Sequence, residues 1–145
     1  MAMRIGVAEF LEKVSKLKKK EDKVEALKMN DSYVIRTILQ GAFDPRIVWA
    51  LPPGIPPYKV NQLVDQENVL IKDARKLIYF VENSGHNLNP LKRESMFVEF
   101  LEALAPADAV LICTIKEKKL PWKGITLDII NEAFPNFIPV EEPAI

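Results

Sequence analysis

The spacing of apolar residues restricts this chain more than any other feature. Val7, Phe10, Leu11, Val14 and Leu17 recur three and four residues apart, which lines one face of a helix and suits no half-buried strand. The same period returns along most of the chain. A short second helix is expected to carry Val24, Ala26 and Leu27, and a third to bury Ile35, Ile38, Leu39 and Ala42 behind the capping residues Asn30, Asp31 and Ser32. Asp44-Pro45 stops that helix, because proline disfavours a helical residue before it. A β-prone run, Ile47 to Leu51, is followed by Pro52-Pro53-Gly54-Ile55-Pro56-Pro57, a stretch that proline leaves extended and poor in backbone donors.

The second half is again helical. One helix is expected over Val69 to Val81, with Val69, Ala74, Leu77, Ile78 and Val81 inward and Asn83-Ser84-Gly85 at its end. Asn89-Pro90 opens another that buries Phe97, Phe100, Leu101 and Leu104. A helix from Pro106 and Asp108 turns Ala109, Val110, Ile112 and Cys113 inward, and a last one runs from Thr126 through Leu127, Ile130 and Phe134 to Pro135. The expected architecture is all-α: a single compact domain of about seven helices over residues 1–145, with a Pro-rich connector at 52–57 and a frayed tail at 140–145. Its 145 residues suffice for one core without staples.

Composition excludes several function classes. No run of eighteen apolar residues occurs, so no membrane helix is expected, and Met1-Ala2-Met3-Arg4 does not read as a signal peptide. A single Cys113 and a single His86 supply neither a disulfide nor a cysteine-histidine zinc cage. A reducing, cytoplasmic setting without metal follows. Five scattered glycines form neither a phosphate loop nor a dinucleotide fingerprint. His86 reads as a solvated loop histidine, Cys113 as a buried inert thiol, and no carboxylate pair stands out, so an enzyme is the least supported class.

Twenty basic residues balance twenty acidic ones, but unevenly. Residues 13 to 28 hold Lys13, Lys16, Lys18, Lys19, Lys20, Lys23 and Lys28; residues 116 to 123 hold Lys116, Lys118, Lys119 and Lys123 against Glu117 alone. The plain reading of both is solvated helix ends. In Lys123-Gly124-Ile125-Thr126 a lysine and a glycine precede a helix start, an arrangement able to hold a phosphate. The alternative is that Gly124 serves a tight turn and Thr126 only caps.

The order of these helices resembles the N-terminal DNA-binding domain of the ATP-dependent DNA ligases of tailed phages. The similarity runs over about residues 7–139. It rests on Phe10-Leu11 to Leu17, Lys23-Val24-Glu25-Ala26-Leu27 and Asn30-Asp31 through Phe43 in the first half. In the second half it rests on Leu77 to Val81, Phe97 to Leu101, Val110 to Ile115, Lys123-Gly124-Ile125-Thr126 and Ile129 through Pro139. The resemblance implies a helical domain that grips duplex DNA, nicked duplex included, by its backbone and without reading sequence. Carried over, Lys123, Gly124 and Thr126 match the phosphate-facing helix start, with Lys119 a supporting charge and Lys18, Lys19 and Lys20 a looser match. The ligase motif Lys-x-Asp-Gly is missing from the sequence, so the expectation is a non-enzymatic phage accessory protein of the host cell cytoplasm, without cofactor. The rival expectation is a protein-interaction module, its partner a phage or host protein, that reuses the fold with Trp49, Ile55 and Tyr58 as anchors. Trp122 is expected in the core.

Overall fold

In the computed structural model, residues 6–86 and 88–139 are described; the expected frayed tail at 140–145 lies outside them. Three helices begin where a side chain offers a cap. Ser32 accepts from the Ile35 amide at 3.4 Å and starts α3 (Tyr33–Phe43), Asn89 accepts from Leu91 at 2.9 Å ahead of α5 (Pro90–Ala103), and Thr126 starts α7 (Leu127–Ala133). These side chains take up amide groups that a helix N-terminus leaves unpaired. The remaining helices are α1 (Val7–Ser15), α2 (Lys20–Met29), α4 (Asn68–Asp73) and α6 (Pro106–Lys116). The architecture is all-α, with seven α-helices among the described residues.

The central element is α6, which packs against α1, α3 and α5, while α2 packs against α7. Ala109, Leu111, Ile112, Cys113 and Ile115 of α6 are all buried. Covered on several sides, such a helix must be apolar almost all round. That explains one departure: Val110, expected inward, is 52% exposed, because periodicity cannot choose the outer face of a nearly uniform apolar helix. The inward stripe expected to reach Leu17 ends with α1 at Ser15, and Leu17 is exposed.

The helix expected over Val69–Val81 is two elements. After α4 the chain tightens into a 3₁₀ segment, Ala74–Phe80, and Val81 is already extended. Three residues per turn bring Ala74, Leu77 and Phe80 onto one line, and all three are buried while Ile78 is exposed. The β-prone run makes a single antiparallel bridge, Trp49 with Val81, flanked by amide bonds from Ala50 to Phe80 and from Glu82 to Val48. No helix among the described residues is long and apolar enough to cross a membrane.

Candidate nucleic-acid interface

Two lysine stretches about a hundred residues apart in sequence meet at one end of the fold. The contact is built on Gly124. A Cβ placed there would lie 2.7 Å from the carbonyl carbon of Ser15, the last residue of α1, and closer still to its oxygen. Only a residue without a side chain permits this approach. From the other side the Lys23 ammonium donates to the Gly124 carbonyl at 2.7 Å, and Lys20 pairs with Glu132 of α7 at 3.1 Å. The turn from Lys16 to Lys19, which joins α1 to α2, is thereby held beside Lys123-Gly124.

Within this group the lysines differ. Lys16 pairs with Glu12 at 3.2 Å, and Lys20 is engaged by Glu132. Lys18, Lys19 and Lys123 are exposed and make no ion pair among the described residues. Exposed pairs of this kind contribute about 0–1 kcal/mol, so Lys16 and Lys20 can be drawn to another anion at small cost. Glu21 and Asp22 on the first turn of α2, with Asp128 on that of α7, temper the field.

Of the residues selected from sequence, Gly124, with Lys123 before it, packs against Ser15 at the end of α1, Lys20 reaches Glu132 of α7, and Lys18 and Lys19 lie in the exposed turn between Ser15 and Lys20. Thr126 starts α7 just beyond them and accepts from the Ile129 amide at 3.5 Å. Gly124 has a packing role against Ser15 in addition to any turn it serves. Lys119 stands apart: it lies after α6 near Glu117, whose carboxyl it helps hold low. Lys23 is legible in the sequence only as one member of a run, although its place beside Val24 and Leu27 on a buried-face register marks it as half-buried.

The other lysines of the second run are not solvated helix ends. Lys116 is buried and donates to the Pro52 carbonyl at 2.9 Å. Lys118, at a positive φ of 63°, donates to the carbonyls of Gly41, Asp44 and Ile47 at 3.0, 2.6 and 3.0 Å. Both ammonium groups are turned to backbone carbonyls of the segment from the end of α3 to the Pro-rich stretch, contacts distant in sequence and without a local signature.

The rival anchors also separate. The Trp49 indole is half-buried and donates to the Gly41 carbonyl at 3.0 Å. Tyr58 is half-buried, and burial, with Cys113 nearby, raises its phenol above the ordinary range. Ile55 is 72% exposed. Trp122 packs partly buried against the core. Burial raises the Cys113 thiol, the state expected of an inert cysteine. His86 is exposed, with its ring 4.7 Å edge-on to that of Tyr79.

One family model, described as a family of unknown function (DUF6433), matches residues 10–121. The chain belongs to this family. Neither the curated proteins nor the solved structures contain a match to it. The span shared with DUF6433 includes the Lys16–Lys20 turn and the Pro-rich segment, while Lys123–Thr126 lie just past its end.

Proposed function

We propose that this DUF6433 protein is a non-enzymatic accessory factor that binds duplex DNA through its phosphate backbone without sequence preference. The observation that supports the reading is the convergence of Lys18, Lys19 and Lys20 with Lys123 around the Gly124 contact. Exposed ammonium groups of this kind suit a regular array of phosphates and carry no base-reading geometry, since sequence is read by donors and acceptors placed in a groove. The likeness to the DNA-binding domain of phage DNA ligases favours the same surface. Because acidic first turns temper the charge, binding is weak, and because it rests on neutralised phosphates it falls as salt rises.

The test is fluorescence anisotropy with labelled duplex, nicked and intact, at low and physiological salt. Binding that falls as salt rises and is abolished by Lys123→Glu combined with Lys18→Glu and Lys19→Glu supports the reading. A preference for the nick places the protein beside a catalytic partner. Absence of binding at low salt refutes it.

A further inference from the structure

The Pro-rich segment is a strap fastened at both ends and open in the middle. At its start the buried Lys116 ammonium donates to the Pro52 carbonyl, and the Gly54 amide donates to Glu117, whose carboxyl this bond, foremost, holds low. Past its end the Lys59 amide donates to Glu102 at 2.8 Å and the Asn61 side chain donates to the Ala103 carbonyl at 3.1 Å. Between these fastenings a groove of about 530 Å³ lies between the strap and α5, within the size range of ligand pockets.

The helix opposite has two working faces. Phe97, Phe100 and Leu101, three and four residues apart, are buried in the core, as is Leu104 just past the helix end. Leu91, Glu94, Ser95, Val98 and Glu99 repeat the same spacing on a second face and line the groove. Leu91 and Ile55 are 76% and 72% exposed on its opposite walls, an apolar pair without a partner among the described residues. Glu94 and Glu99 make no ion pair among the described residues. The groove's one lysine, Lys116, is engaged by Pro52 and lies 3.5 Å from Glu117.

The hydrogen-bonding character leans to acceptors, the Ser95 hydroxyl and the Ile55 amide being neutral donors. Prolines 52, 53, 56 and 57 offer no amide donors, so the strap cannot capture a peptide as an added strand; its carbonyls and the two carboxylates only accept. An anion such as a DNA phosphate meets no available cation here. We propose that this groove docks a cationic segment of a partner protein, an apolar side chain entering between Ile55 and Leu91 while flanking lysines or arginines meet Glu94 and Glu99. The site is separate from the lysine ridge, and the inference stands without the DNA reading.

The experiment titrates the isotope-labelled protein, free of DNA, with the capped hexapeptide Lys-Lys-Leu-Leu-Lys-Lys and follows backbone amide resonances. The expected shifts concentrate at residues 54–58 and 91–99. Affinity drops about tenfold or more, at least about 1.4 kcal/mol, in E94Q/E99Q protein and, separately, with a peptide whose leucines are replaced by serine. Any of four results overturns the proposal: no binding at millimolar peptide, shifts scattered over other acidic surfaces, equal affinity for the serine peptide, or indifference to E94Q/E99Q. Concentration-dependent shifts of the same residues without peptide make a second copy of this chain the occupant and overturn the partner assignment.

Discussion

Replacing Gly124 by alanine attacks the contact on which the lysine ridge is built. The new Cβ would lie 2.7 Å from the Ser15 carbonyl carbon and 2.9 Å from its Cα. Non-bonded carbons sit at about 3.5–4.0 Å, so α1 and the Lys123–Thr126 segment must part by roughly 1 Å. The obstruction is backbone, which no rotamer change relieves. Overpacking of this kind costs about 1–3 kcal/mol, and the upper end applies here. Against a total stability of about 5–15 kcal/mol, that lowers the melting temperature by about 5–10 °C for a chain of this length. Thermal and urea unfolding followed by circular dichroism measure it. Because the obstructing atoms are main-chain, adding Ser15→Gly should not restore stability. G124A protein as stable as wild type within about 0.5 kcal/mol, or rescue by Ser15→Gly, would refute the packing argument. The same variant should bind duplex DNA more weakly at low salt, since Lys123 is pushed away from the Lys16–Lys20 turn.

Other perturbations have equally definite outcomes. A Cβ on Gly41 would sit 2.7 Å from Trp49, so Gly41→Ala should displace the indole, cost about 1–3 kcal/mol and red-shift tryptophan emission in a Trp122→Phe background; an unchanged spectrum contradicts this. Burial raises the Asp108 carboxyl, opposed by the Ala8 amide that it accepts from at 2.9 Å, and its second oxygen has no partner among the described residues. A raised folded value means that the carboxyl's stabilising effect is full below the unfolded value of about 3.9 and is lost as pH rises through the folded one. Wild type should therefore lose stability relative to Asp108→Asn as pH climbs from about 4 toward neutrality in urea titrations; parallel profiles would contradict it. Asp44 behaves oppositely: burial alone would raise it, but Arg46 and Gln40 outweigh burial and hold it low. Its contribution should persist above about pH 4 and vanish as pH falls through its depressed value, so Asp44→Asn should flatten the acid limb of the unfolding profile.

What the sequence disclosed was local. Ser32, Asn89-Pro90 and Thr126 mark helix starts because a cap acts within three residues of itself, and the structure places helices at each. The 3₁₀ turn is hidden because Ala74 and Leu77 fit a 3.6-residue period as well as a period of three; only the burial of Phe80 in place of Ile78 separates them. Asp108, Lys116 and Lys118 are beyond local reading, since each side chain answers backbone groups distant in sequence. The lysine ridge illustrates the same limit. Both runs are plain in the sequence, but their meeting depends on Gly124 reaching Ser15, an approach no spacing rule foretells. The groove face of α5 escapes notice because the core-facing phenylalanines dominate its apolar pattern.

The central claim is that the two lysine stretches act as one anion-binding surface. Its most direct test is the salt dependence of duplex binding by wild type, Lys18→Glu/Lys19→Glu, Lys123→Glu and the triple variant, each shown to be folded. One surface predicts that reversals at either end weaken binding and flatten the log–log salt slope by about 0.9 for each phosphate no longer neutralised, with the triple variant unable to bind. Wild-type affinity and slope in the folded triple variant would contradict it.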